Sequence, residues 1–307
     1  MRATLIVNPA SGGETAVDHL PMMRRRLGEV ATHLRVAVTG GEGDATAAGR
    51  QAVLDGCDRL FVAGGDGTLN EVLNGVASVE GGLGSVALGV IPLGTGNDFA
   101  TAVGLPDEPE AAIDRLLAGR EHPVDVGRVN GRCFLNISAG GFIAEVSEAG
   151  PSKLKTVLGK LAYLVGGAQV LADYEPVRVE MHGTAEDGAA FPRHASLYTF
   201  AVCNSRLIGG GRVIAPHALI DDGWLDVCLI HAMPTLEFVA LLRRVADGDH
   251  VDDERVSYVR TRDLELVFER PLNINTDGQV LEAQRCRYDV LPGAVRVLLP
   301  GSGDSAA

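Results

Sequence analysis

The sequence predicts an α/β fold in its first third and a mostly antiparallel β domain behind it. Up to about residue 118, short apolar runs alternate with segments of helical period, the pattern of parallel strands joined by crossover helices. From about residue 124 the apolar runs become short and strand-like, and Asn130-Gly131 and Asp222-Gly223 supply turn signals. A third observation locates a site. Two apolar runs end in glycine-rich turns, Gly64-Gly65-Asp66-Gly67-Thr68 and Pro92-Leu93-Gly94-Thr95-Gly96-Asn97-Asp98.

Taken in order, residues 4–7 read as a strand, Asn8-Pro9-Ala10-Ser11-Gly12-Gly13 as a turn, and 17–30 as a helix. Residues 34–38 are expected as strand and 45–54 as helix; 60–63 as strand and 70–76 as helix. A strand over 87–91 then leads to a helix from about Asp98 and another over 110–118. In the second region, strands are expected over 124–129, 132–137, 177–181, 196–203, 225–230, 263–268 and 272–275. One amphipathic helix interrupts them: Leu154, Val157, Leu158, Leu161, Leu164, Val165 and Ala168 recur at helical spacing. The chain's three lysines, Lys153, Lys155 and Lys160, flank that stripe. The stripe packs on the β domain or rests on an anionic bilayer surface; both readings stay open.

Composition narrows the function. Lys+Arg number 27 against 40 Asp+Glu, a formal charge of −13 that opposes non-specific nucleic-acid binding. No apolar run is long enough to span a bilayer, and the N-terminus reads as a first strand rather than a signal peptide. The five cysteines are scattered, with no CxxC pair, so packed thiols in a reducing cytosol are expected.

The glycine turns carry the chemistry. Glycine lets backbone N–H groups approach phosphate oxygens, threonine adds a hydroxyl donor, and aspartate can hold Mg²⁺. Helix N-termini favour anions, and the helices follow these turns directly. Open parallel sheets bind ligands beyond the carboxyl ends of their strands, where both turns and Asn8–Gly13 fall. There is no GxxxxGK[ST] motif, since Gly159-Lys160 is followed by Leu161, and neither turn is a GxGxxG.

Gly64-Gly65-Asp66-Gly67-Thr68-Leu69-Asn70-Glu71-Val72 and Pro92-Leu93-Gly94-Thr95-Gly96-Asn97-Asp98-Phe99-Ala100 resemble the diacylglycerol kinase catalytic-domain family, and within it the bacterial YegS-like lipid kinases. The likeness runs from Asn8-Pro9 to Val290-Leu291-Pro292-Gly293 and includes Ala215-Pro216 and Asp222-Gly223-Trp224-Leu225-Asp226-Val227. It implies a three-layer α/β nucleotide-binding domain over 1–125, a C-terminal β-sandwich-like domain over 126–292, and a cleft between them. The segment 293–307 is a candidate to return to the first domain. The implied reaction moves the γ-phosphate of ATP, with Mg²⁺, to a hydroxyl of a membrane glycerolipid of the diacylglycerol or phosphatidylglycerol type. The implied place of work is cytoplasmic, peripheral at the inner membrane face, and a homodimer is left open.

Matched residue by residue, the resemblance implies ATP contacts from Thr39, Gly64, Gly65, Asp66, Gly67, Thr68, Leu69, Asn70 and Thr95, with Asp66 near the phosphates and their Mg²⁺. Asn97 is a ligand contact, a helix N-cap, or both. Asp125 matches a recurrent aspartate or is an edge-strand carboxylate. A second metal site is implied at the Asp222 carboxylate and the backbone carbonyls of Leu219 and Trp224, a donor set suited to Mg²⁺ or Ca²⁺. Asn204 and Gly210 are expected to contact substrate or shape the cleft.

The chain departs from the family at Asn275-Thr276-Asp277-Gly278-Gln279, where Asp-Gly-Glu is usual and the glutamate is assigned as proton acceptor. An amide oxygen has negligible basicity. Asp277 takes the role, Glu282 reaches in, or the chain binds ATP with weak or no transfer; Asp277 is preferred. A soluble-substrate kinase of the NAD kinase type is the remaining alternative.

Overall fold

A computed structural model describes residues 1–12, 16–148 and 174–300. The amphipathic stripe at 154–168 and its lysines lie outside the described residues.

The first region alternates strand and helix: β1 (Arg2–Val7), α1 (Ala16–Gly28), β2 (His33–Val38), α2 (Asp44–Leu54), β3 (Arg59–Gly64), α3 (Asp66–Ala77), α4 (Gly82–Ser85), β4 (Ala87–Pro92), α5 (Asp98–Ala102) and α6 (Pro109–Ala118). Strands pair in parallel in the order β4-β3-β1-β2. The near-continuous apolar runs of β1, β3 and β4 are buried along almost their whole length, as strands covered on both faces require. Helix α6 begins where Glu108 accepts from the N–H groups of Glu110 and Ala111, with Pro109 in the first turn. Helices α2 and α3 cross closely: a methyl group on Gly75 would lie 2.1 Å from the Thr46 carbonyl oxygen.

The second region comprises β5 (Arg120–Val129), β6 (Arg132–Phe134), β7 (Ile137–Gly141), α7 (Phe142–Glu148), β8 (Val177–Ala185), β9 (His194–Cys203), β10 (Leu207–Ile208), β11 (Arg212–Val213), β12 (Leu225–His231), α8 (Thr235–Val245), β13 (Val256–Thr276) and β14 (Gln279–Leu299). It is β-sandwich-like. Strand β9 is buried on both faces because two cores use it. Phe200 and Val202 join Leu225, Val227, Leu264 and Leu266 in one. Ala201 and Cys203 join Phe238, Leu241 and Val245 in the other, so α8 closes that face.

The single strand expected over 132–137 is two, β6 and β7, and those expected over 263–268 and 272–275 are one strand, β13. Its irregular pairing between Val267 and Leu272 masks the alternation. Strand β14 links the regions: it pairs antiparallel with β13 and β5, and Arg296 and Val297 pair in parallel with Ala87 and Leu88 of β4. The β13–β14 turn is Asp277-Gly278, with φ of 48° and 84°, as a two-residue turn with both φ positive requires. Asn130-Gly131 joins β5 to β6 the same way. Asp222-Gly223 does not close a hairpin; it leads into β12, whose partners are β9 and β13.

Candidate active site

The glycine turns lie at the carboxyl ends of β3 and β4. Helix α3 opens at Asp66, so Asp66, Gly67 and Thr68 form its first turn, where backbone N–H groups lack helical partners. The two turns touch backbone to backbone: a methyl group on Gly94 would come within 2.5 Å of the Gly65 Cα. Asn8 joins them, its Nδ2 donating to Thr68 Oγ1 at 2.9 Å. Asn97 closes the second turn on itself. Its Oδ1 accepts from the Gly94 N–H at 2.8 Å and its Nδ2 donates to the Gly94 carbonyl at 3.0 Å, at a φ of 53°. A cavity of 560 Å³ opens beside these turns, lined by Gly12, His19, Gly94, Thr95, Gly96 and Asp107.

Asn97 stands at the N-cap position of α5, but its side chain makes no capping hydrogen bond to the helix. Asp66 caps α5 from a distance in sequence: its carboxylate accepts from the N–H groups of Asp98 (3.0 Å) and Phe99 (3.1 Å). Asp98 in turn accepts from Gly210 (2.9 Å) and Gly211 (2.8 Å), which brings the β10–β11 loop of the second region onto the first. Burial raises the Asp98 carboxyl above its ordinary value, the neighbouring Asp66 charge adds to that, and the glycine N–H groups pull it back.

Asp277 stands at the tip of the β13–β14 hairpin, 5% exposed. Its carboxylate accepts from Leu135 N–H (2.8 Å), Asn136 N–H (3.1 Å) and Ile137 N–H (2.7 Å), and Asn70 Nδ2 lies at 3.4 Å. Burial pushes its pKa up to about 6, against the pull of those N–H groups, and the Asp66 charge raises it further. The acceptor capacity of this carboxylate is filled by the backbone. That makes Asp277 a clasp between the hairpin and the chain entering β7, not the free base expected from sequence.

Several expected nucleotide contacts have other employment. The Asn70 side chain, fully buried, donates to the Cys133 carbonyl at 2.9 Å. Leu69 sits in the first core. Thr39, at the end of β2, donates through its N–H to the Val7 carbonyl at 2.9 Å. Asn204 is buried and donates to the carbonyls of Asp125 and Leu135, so it holds loops rather than substrate. Gly64, Gly65, Gly67, Thr68 and Thr95 stand together at the turns. Gln279 lies over Gly67, and its Nε2 is 3.5 Å from Glu71 Oε1.

The expected second metal site is built differently. Asp222 is paired to the Arg260 guanidinium and accepts from the Trp224 N–H at 3.0 Å. Arg260 also pairs with Glu186 at 3.0 Å and lies 5.7 Å from the Trp224 ring centroid. A fixed cation thus occupies the role assigned to a metal, and the donor set of Leu219, Asp222 and Trp224 does not fit one here. Among the described residues no group of three or more His, Cys, Asp and Glu could hold a metal ion. Asp125 is neither a ligand nor a free edge carboxylate: it accepts from Gly223 and Gly293 N–H groups, both at 2.6 Å, and ties the Asp222 loop to β14.

Sequence reasoning left out Asp98, Glu71 and Asn136. Asp98 ends the second glycine turn and Glu71 follows the first by three residues, so both had a signal; Asn136 had none.

Glycine turns opening helices, a carboxylate at their centre and a hairpin of the second region over them form one cleft. Residues 2–129 match the diacylglycerol kinase catalytic domain, and residues 137–299 match the YegS C-terminal NAD kinase beta sandwich-like domain. A diacylglycerol kinase of Bacillus subtilis (strain 168) is 36% identical over 91% of this chain and 89% of its own length. One of Staphylococcus aureus (strain JH9) is 33% identical over 91% and 86%. A crystal structure from Bacillus anthracis str. Sterne, bearing the same kinase designation, superposes with a TM-score of 0.82 at 26% identity, covering 98% of this chain and 96% of that one. This chain belongs to the diacylglycerol kinase family.

Proposed function

We propose that this protein transfers the γ-phosphate of ATP to a hydroxyl of a membrane glycerolipid of the diacylglycerol or phosphatidylglycerol type. The observation that carries the lipid reading is a second cavity, of 140 Å³, between the two regions. Asp66, Asp98 and Asp277 form its polar side, while Ile137, Ile143 and Ile208 form its apolar side. A hydroxyl on an apolar body matches that division.

The fit to a nucleotide rests on the glycine turns, which pack so closely that added methyl groups on Gly64 and Gly94 would collide with the protein, and on the opening turn of α3, whose N–H groups have no helical partner. Bound ATP–Mg²⁺ would supply the phosphoryl group and the charge that neutralises it. The chain's own part is positioning, which phosphoryl transfer chiefly demands. The turns at Gly64–Thr68 and Gly94–Asn97 hold the phosphates. Asp66 fixes α5 and presents its charge to the metal side of the nucleotide. The 209–211 loop, docked on Asp98, shields the centre from water. The acceptor is reached at the inner face of the membrane, and no described helix is long and apolar enough to cross it.

The test is incubation of the purified protein with labelled ATP, Mg²⁺ and mixed micelles of extracted bacterial lipid. Label in an organic-extractable product is expected, and mass analysis names the acceptor. Transfer that needs no lipid moves the assignment to a soluble substrate. ATP binding without any transfer makes Gln279 the leading explanation.

A further inference from the structure

The cavity between the two regions is walled by hydrogen-bond acceptors. Asp66, Asp98 and Asp277 line it, and an ionised carboxylate can only accept. Asn136, just before β7, lines it too and is 2% exposed. All but one of its polar groups are matched. Its N–H donates to the Asp277 carboxylate at 3.1 Å. Its carbonyl accepts from the N–H groups of Asn204 at 2.9 Å and Ser205 at 3.1 Å. Its Nδ2 donates to the Leu207 carbonyl at 2.8 Å. Its Oδ1 has no partner among the described residues.

The amide cannot be turned round. Leu207 presents a carbonyl oxygen, which needs a donor, so Nδ2 faces it and Oδ1 faces away. The residues beside these two, Ile137 on one strand and Ile208 on the other, form part of the cavity's apolar side. A buried acceptor with no donor is costly, and such groups are uncommon unless a water or a ligand meets them. The count of protons decides what meets this one. A single reacting hydroxyl brings one O–H, and a charged carboxylate takes that hydrogen bond ahead of a neutral amide. A lone hydroxyl therefore leaves Asn136 unmatched.

We propose that Asn136 Oδ1 accepts a hydrogen bond from a second hydroxyl of the acceptor, so that the site selects a glycerolipid whose head carries two neighbouring hydroxyls; this rests on the kinase reading above. The reacting hydroxyl lies among Asp66, Asp98 and Asp277, and the apolar body runs against Ile137, Ile143 and Ile208. Asn136 holds the Asp277 carboxylate through its own N–H, so the two acceptors are neighbours, as hydroxyls on adjacent carbons are. A diacylglycerol carries one hydroxyl and strands Asn136 Oδ1 when it binds. A phosphatidylglycerol head carries two and satisfies it.

The experiment measures kcat/KM in the lipid-transfer assay for phosphatidylglycerol, for its analogue lacking the secondary head-group hydroxyl, and for diacylglycerol, with wild type and Asn136→Ala and thermal melting of each. Wild type is expected to favour phosphatidylglycerol over the analogue about ten- to hundredfold, the scale of one buried polar group left unpaired. Asn136→Ala is expected to bring that ratio to within about threefold of unity. A loss of packing or of the Leu207 contact slows both acceptors alike and leaves the ratio where it was, so the ratio separates recognition from a structural role. A wild-type ratio near unity overturns the proposal, and so does a wild type that uses diacylglycerol better than phosphatidylglycerol. A folded variant that keeps the wild-type ratio overturns it too, and gives Oδ1 to a water. If Asn136→Ala does not fold, Asn136→Leu, which fills a similar volume, is read in its place by the same criteria. A wild type that labels no lipid overturns the kinase reading itself, an outcome distinct from an active wild type indifferent to the second hydroxyl.

Discussion

The aspartates of the cleft and the aspartate of the second region's Asp222 loop differ in what neutralises them. At the cleft, Asp66, Asp98 and Asp277 are met by backbone N–H groups. In the second region Asp222 is met by a guanidinium, Arg260, which is shared with Glu186. Amide dipoles orient a carboxylate but leave its charge in place, whereas a guanidinium cancels it. The cleft keeps negative charge for a cation that arrives with its ligand; the Asp222 loop carries its own cation and needs none.

That contrast can be broken at four points. The largest effect is expected from Asp66→Ala, which removes one of the three cleft carboxylates and the cap on α5. Lipid phosphorylation should fall about 10²- to 10³-fold, the scale for removing one electrostatic group at a phosphoryl centre. Activity within a few-fold of wild type would mean the cleft charge is idle.

Next comes Asp277→Ala. It strands three buried N–H groups, and a loss of about 3 kcal/mol in urea unfolding is expected from the cost of unpaired buried donors. A neutral result would show that the hairpin tip does not need its clasp.

The pH response of Asp277 follows. Its folded pKa is about 6, above the value of about 3.9 for an unfolded aspartate. The folded state therefore binds the proton more tightly. This group favours folding more at pH 4 than at pH 7, and the contribution is lost as pH rises through 6. The difference in unfolding free energy between wild type and Asp277→Asn should shift by up to about 3 kcal/mol between pH 4 and 7. A difference that stays flat across that range would contradict the burial-driven shift.

The smallest effect is at Arg260. The pair is partly exposed, so Arg260→Met should cost about 1 kcal/mol. Removing the guanidinium frees Asp222, and Mg²⁺ should then raise the melting temperature of the variant more than that of wild type. Equal responses would mean that Arg260 does not stand where a cation is wanted.

Much of the first region was legible. Alternating apolar runs and helical periods placed β1 to β4 within a residue or two; β1, β3 and β4 are buried on both faces and read as continuous apolar runs, while β2 is the half-exposed edge strand. The helix after the first glycine turn was expected from residue 70 and begins at Asp66, since three glycines in the turn conceal a helix start. Strand β14, 21 residues long, was missed because Glu282, Arg285, Arg287, Asp289 and Pro292 interrupt its apolar pattern. At the site, the glycine motifs marked the cleft, but the family resemblance also suggested that Asn70 was free for a ligand and Asp277 free to act as base. Both are consumed by contacts with residues 133–137.

By itself, then, the sequence determined the α/β order, the two phosphate turns and the family, all local patterns of apolarity and glycine. Tertiary structure alone decided which carboxylates are clasped and which is paired. The backbone partners of Asp277 lie 140 to 142 residues away, and those of Asp98 lie 112 and 113 away. All five are backbone N–H groups, which every residue but proline carries alike. Their convergence on one carboxylate has no signature in residue type and exists only once the chain has folded.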